Sequence, residues 1–237
     1  MSTTPASARD RLIAALDVPD RAQALALAGQ LAGHAGLLKI GLELFVAEGP
    51  DVVRAIRDAH PQLEIFLDLK LHDIPNTMQG AIRSARSLGA RFLTVHAGSG
   101  VEHLRACVQE AGDDVGILAV TVLTSQDAAA CEQAGHTRSP AELVVRRAAC
   151  AQQAGCAGIV CSGQELSGVV AEAPDLFRVV PGIRPAGADA GDQRRVMTPA
   201  RAIADGATHL VVGRPIRTAP QPADAADAIV AEIASAL

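Results

Sequence analysis

The chain has 237 residues with 21 Lys and Arg against 26 Asp and Glu, a formal charge of −5 that argues against nucleic acid or an anionic membrane as its main partner. Hydrophobic residues make up 49% of it, enough to fill a full core at this length, yet no apolar run reaches the length of a bilayer span. Trp and Tyr are absent, which leaves little from which to build stacking platforms for bases. The first residues, MSTTPASARDR, lack the basic start and apolar centre of a secretory signal, and residues 1–10 read as a short flexible tail. The five cysteines (Cys107, Cys131, Cys150, Cys156, Cys161) contain no C-x-x-C pair. They read as buried free thiols rather than a zinc site, and their odd number fits a reducing cytoplasm.

Taken in order, short apolar runs alternate with amphipathic ones. Strands are expected over 12–17, 37–41, 65–70, 92–96, 116–123, 158–161, 178–183 and 209–213. Helices are expected over 21–31, 50–59, 77–88, 101–110, 140–154 and 223–236. Eight such units without a linker or low-complexity stretch point to one α/β domain over 1–237, a (β/α)8 TIM barrel. A doubly wound open sheet is the alternative, but no position marks where its strand order would reverse.

The stretch EIFLDLKLHDIPNT, residues 64–77, stands out within this pattern. Strand periodicity sets Phe66, Asp68 and Lys70 on one face and Leu67 and Leu69 on the other, so an anion and a cation project side by side. Asp73 follows, and Asn76 with Gln79 resembles a capping box opening the next helix. A structural ion pair is one reading of Asp68 and Lys70. Composition favours another: Lys39 and Lys70 are the only lysines, and Arg fills every other basic position. A lysine can release a proton where an arginine in practice cannot, which makes Lys70 a candidate proton donor.

In a barrel, active residues gather at the C-terminal ends of the strands. Asp17, Lys39, Asp68, Lys70, His96, Thr124, Arg184 and Arg214 all fall at such ends or just beyond them. A structural ion-pair network at one rim is the competing account. After the seventh strand comes PGIRPAGADAGDQRR, and after the eighth V-V-G-R-P, where Gly213 permits close backbone approach and Arg214 supplies a fork of donors. Barrels often bind phosphate between these two loops, and the 184–197 loop would then act as a lid. Read alone, 185–192 also fits an ordinary surface loop. His34, His60, His103, His136 and His209 read as surface or core histidines, and His96 as support for the charged cluster. Residues 125–139 read as a polar connection without chemistry, and 12–16 as barrel wall.

With these residues assembled, the chain resembles the orotidine 5′-monophosphate decarboxylases of the bacterial type. The resemblance runs through A-L-D at 15–17, K-I-G at 39–41, D-x-K-x-x-D at 68–73 followed by I-P-N-T, V-H-A at 95–97, L-T-S at 123–125, P-G-I-R at 181–184, Gln193, and V-V-G-R at 211–214. It implies a decarboxylase that converts orotidine 5′-monophosphate to UMP and CO2 in pyrimidine nucleotide synthesis, with neither metal nor organic cofactor. Lys39, Asp68, Lys70 and Asp73 would form a charged array at the reacting carbon. Asp17 and Lys39 would hold the ribose hydroxyls, and Thr124 the pyrimidine amide edge. Arg184, Gln193, Gly213 and Arg214 would bind the phosphate. Asp73 and Thr77 would reach the neighbouring subunit's site, making a homodimer. Two other readings stay in view: a Mg2+-dependent sugar-phosphate decarboxylase or aldolase on the same barrel, and a non-catalytic barrel that binds UMP.

Overall fold

The computed structural model describes residues 5–185 and 197–237. Strands and helices alternate along it. The first half holds β1 (Leu12–Ala15), α1 (Arg21–Leu31), β2 (Leu37–Gly41), α2 (Leu42–Glu48), α3 (Asp51–Ala59), β3 (Glu64–Leu71), α4 (Pro75–Ser87), β4 (Phe92–His96), α5 (Val101–Ala111) and β5 (Gly116–Val120). The second half holds α6 (Ala128–Gln133), α7 (Pro140–Ala154), β6 (Gly158–Val160), α8 (Leu166–Glu172), β7 (Phe177–Val180), α9 (Pro199–Ala204), β8 (His209–Val212), α10 (Arg214–Arg217) and α11 (Pro222–Ala234). All strand pairs are parallel, and β1 pairs with both β2 and β8, so the sheet closes into an eight-stranded barrel. The open doubly wound sheet is thereby excluded.

The strands are buried on both faces because the barrel has two cores. Inside it, Ile13, Leu37, Phe66, Phe92, Leu118, Phe177 and Val179 form one apolar layer, with Phe92 packed edge-on against both Phe66 and Phe177. Outside, the other strand face packs on the apolar sides of the helices through residues such as Leu38, Ile65, Leu93, Leu104, Val144 and Ile229. This is why the strands read as continuous apolar runs rather than as an alternation.

Several boundaries depart from expectation. The first strand ends at Ala15 and the fifth at Val120, so Asp17 and Thr124 stand on loops beyond them. Helix α4 starts on Pro75 after an extended Ile74, without a side-chain cap, so Asn76 and Gln79 form no capping box. Proline suits the first helical position because its missing N–H has no intrahelical partner there anyway. The 125–139 connection contains α6, capped by the Asp127 carboxylate, which accepts from the Ala130 amide at 3.0 Å. At its end Ser139 and Glu142 form the capping box that starts α7. Within the stretch 1–10 expected as a tail, the side chains of Ser7 and Asp10 bond each other's backbone amides, and Arg9–Arg11 makes a 3-10 turn leading into β1; residues 1–4 lie outside the described residues. Among the described residues, no helix is long and apolar enough to cross a membrane.

Candidate active site

Strand β3 builds the centre of the site. Its inward face carries Phe66 in the interior layer, then Asp68 and Lys70 above it towards the C-terminal mouth, while Leu67, Leu69 and Leu71 face the helices. The alternation survives an irregularity. Leu67 pairs with Leu93 and Leu71 with Val95, so three residues of β3 face a single residue of β4, Thr94. Lys70 takes up the excess with φ at 50°, the one positive φ outside glycine among the described residues. For an L residue that conformation costs about 1–2 kcal/mol, and it persists only where neighbours hold it.

Charges alternate along a row. Lys39, on β2, places its Nζ 2.9 Å from Asp17 Oδ1 and 3.8 Å from Asp68 Oδ2. Lys70 Nζ donates to the same Asp68 Oδ2 at 2.8 Å. The two ammonium groups of the chain therefore converge on one carboxylate oxygen. Exposure rises towards the mouth, from 9% for the Lys39 side chain and 14% for Asp68 to 37% for Lys70. Two glycines leave room for Asp17 and Lys39. A Cβ at Gly41 would lie 3.0 Å from Lys39 Nζ, and one at Gly213 would lie 3.3 Å from Asp17 Oδ2.

A cavity of about 300 Å³ opens over this row, within the usual size of a small-molecule site, roughly 300–1,000 Å³. Eight of the residues expected from the sequence line it: Asp17, Lys39, Asp68, Lys70, Thr124, Arg184, Gly213 and Arg214. Arg184 is buried, donating from Nη1 to the Ile183 carbonyl at 2.9 Å, and its amide donates to the Met197 carbonyl at 3.0 Å. Asp73 and Thr77 do not line it. Both are exposed, Asp73 in the turn after β3, where its carboxylate accepts from the Ile74 amide at 2.7 Å, and Thr77 in the first turn of α4. Gln193 and the middle of the expected 184–197 lid lie outside the described residues.

Sequence reasoning gave no role to several contributors. Phe66 floors the cavity, and Val160 and Val211 add apolar wall. Arg217 joins Arg184 and Arg214 at its rim. Its spacing of three from Arg214 was a readable signal, because residues three apart share a helix face. Support for the charged cluster comes from Thr94, two residues before the histidine expected to supply it: its hydroxyl donates to Asp68 Oδ1 at 3.0 Å. His96 is half-buried beside His72, their ring centroids 5.4 Å apart. Burial, and then the neighbouring His72, Lys70 and Arg147, hold its pKa below the usual histidine value. It therefore stays neutral at neutral pH and adds no cation next to Lys70.

Residues 10–229 match the model of a family described as Orotidine 5'-phosphate decarboxylase / HUMPS family. An orotidine 5'-phosphate decarboxylase of Anaeromyxobacter dehalogenans is 56% identical over 224 residues, covering 94% of this chain and 97% of that one. One from Rhodopseudomonas palustris is 51% identical over 232 residues, covering 96% and 95%. Among solved structures, the orotidine 5'-phosphate decarboxylase of Lactobacillus acidophilus superposes with a TM-score of 0.82 at 34% identity, over 94% of this chain and 98% of that one.

Proposed function

Since the chain belongs to the orotidine 5'-phosphate decarboxylase / HUMPS family, we propose that it is a carboxy-lyase converting orotidine 5′-monophosphate to UMP and CO2. The observation that carries this reading is the meeting of Lys39 and Lys70 on Asp68 inside the cavity. Breaking the bond between C6 and its carboxylate leaves an electron pair on C6 with no carbonyl beside it to take up the charge. The site answers with a fixed cation: Lys70 meets the developing negative charge and then gives its proton to C6 as CO2 departs. Solvent returns the proton to Lys70.

In this reading Asp68, which lines the cavity, would crowd the substrate carboxylate. One like-charge contact at 4 Å is worth only about 4 kcal/mol at an effective dielectric of 20, against the roughly 8–23 kcal/mol of typical enzymatic accelerations. Repulsion is therefore the smaller part, and stabilisation of the transition state by Lys70 the larger. In the same reading Asp17 and Lys39 hold the ribose hydroxyls, Thr124 takes the amide edge of the base, and Arg184, Gln193, Gly213 and Arg214 hold the phosphate. Binding energy at the phosphate, far from C6, helps to keep the reacting groups in place.

The same proposal makes the enzyme a homodimer in which Asp73 and Thr77 complete the neighbour's site. Its support is that both are exposed and lie outside their own chain's cavity, with the exposed apolar side chain of Ile74 directly after Asp73 in the chain. A cytoplasmic location fits the free cysteines. The Mg2+-dependent alternative is disfavoured by Lys39, whose ammonium stands between Asp17 and Asp68 and would repel a divalent cation.

The test follows the loss of orotidine 5′-monophosphate absorbance with a chelator present, for the wild type and for Lys70→Ala. Expected are turnover by the wild type and none by the variant, which still binds UMP. A variant with near-wild-type turnover removes Lys70 as the proton donor, and an inert wild type that binds UMP tightly favours the binding-only barrel.

A further inference from the structure

The two charged groups used in the proposed chemistry both leave β3 from its irregular stretch. Opposite residues 68–70 stands a single residue of β4, the fully buried Thr94. A bulge leaves backbone groups outside the regular ladder, and a buried amide needs a partner. Thr94 Oγ1 accepts from the Lys70 amide at 2.9 Å and donates its own hydrogen bond to Asp68 Oδ1 at 3.0 Å. One hydroxyl thus uses its acceptor on the backbone of the lysine and its only donor on the side chain of the aspartate. It lies beneath the cavity and does not line it.

We infer that Thr94 is a positioning residue for the decarboxylation, its hydroxyl locking Asp68 and Lys70 into register across the β3 bulge. The inference rests on the decarboxylase reading. Two degrees of freedom need holding. The Lys70 backbone, at φ 50°, sits in a conformation it leaves unless retained, and the bond to its amide retains it. The last torsion of an aspartate is soft, and the bond to Oδ1 turns Oδ2 towards Lys70 and Lys39. In the decarboxylase reading the phosphate is held by Arg184, beyond β7, and by Gly213 and Arg214, beyond β8, whereas this hydroxyl bonds only groups of β3. Its loss should therefore fall on kcat and leave nucleotide affinity in place.

Thr94→Val preserves the branched shape and removes the hydroxyl, whereas Thr94→Ser keeps the hydroxyl. For Thr94→Val the expected result is a kcat on orotidine 5′-monophosphate lower by about 10- to 100-fold, the cost of losing a charged hydrogen bond that aligns reacting groups. UMP affinity, measured by titration calorimetry, should stay within about threefold of wild type, as for a loss felt only in the transition state. Thr94→Ser should recover most of the rate. If the valine variant does not fold, Thr94→Ala compared with Thr94→Ser is judged by the same criteria. A hydroxyl-free variant at full kcat, a serine variant as slow as it, or UMP affinity lost in step with kcat would overturn the positioning role and leave the decarboxylase reading intact. A wild type without decarboxylase activity would overturn that reading, and the inference with it.

Discussion

Lys39 has the least exposed ammonium in the cavity, and burial of an unpaired charge would cost several kcal/mol. Its pairing with Asp17 and its approach to Asp68 offset that cost and fix the inner end of the charge row. At the outer rim the arginines differ in setting. Arg184 is buried with its guanidinium donating to the carbonyl of the preceding residue, Ile183, while Arg214 and Arg217 are exposed. In the proposed decarboxylase the buried Arg184 is the group fixed well enough to keep a bound phosphate in place, whereas an exposed arginine at the rim adds binding that is the same in ground and transition states. Arg217→Ala should therefore raise KM by about three- to tenfold with kcat unchanged, as expected for lost uniform binding. Steady-state kinetics at fixed ionic strength decide it, and a fall in kcat at constant KM would show that Arg217 does not act through the phosphate.

At the scale of the element, β3 shows which local features a chain displays in its residues and which it conceals. Its apolar run and its Asp68 and Lys70 alternation are visible as period two, and both charges do face one cavity. The bulge is not visible, because it depends on how β4 pairs with β3, a contact between segments far apart in the chain. The α4 start shows a similar limit: Asn76 and Gln79 have the spacing of a capping box, but Pro75 begins the helix one residue earlier and leaves Asn76 inside it. Where no such competitor stands, as at Ser139 and Glu142, the same pattern does form the box.

At the scale of the whole molecule, barrel closure sets β1 and β8 side by side and so puts Asp17 next to Gly213, nearly 200 residues apart. The shared site of the proposed dimer has a direct test. Lys70→Ala and Asp73→Ala chains, each inactive alone, should on co-expression regain about a quarter of wild-type activity, since half of randomly paired symmetric dimers carry one intact site of two. Activity no greater than the sum of the two variants would remove Asp73 from the neighbour's site. The opposite end of the barrel makes a second prediction. Burial pushes His209 down to about 4, with Arg11 and Arg91 adding to the effect and Asp10 opposing it. Above about pH 6.5 the imidazole is neutral in folded and unfolded chains alike. Below that the unfolded chain takes up a proton that the folded one refuses until about pH 4. Stability therefore falls as pH drops through this window, by roughly 3 kcal/mol from this group. Urea unfolding of wild type and His209→Phe across that range should show the shallower loss in the variant, and equal slopes would count against it.

The residues alone determined the alternation of eight strands with helices, and hence the barrel, because apolar period and turn chemistry are local properties. They also marked most of the cavity, since Asp17, Lys39, Asp68, Lys70, Thr124, Arg184, Gly213 and Arg214 sit at or just past strand ends, and in a parallel barrel all those ends share one rim. What tertiary structure decided is the wiring: both ammonium groups on one oxygen of Asp68, Lys70 in a left-handed conformation, and Thr94 bridging the two. Those contacts depend on strand register and on which oxygen faces which neighbour. Both are set by the packing of several strands at once, so no single segment of the chain encodes them.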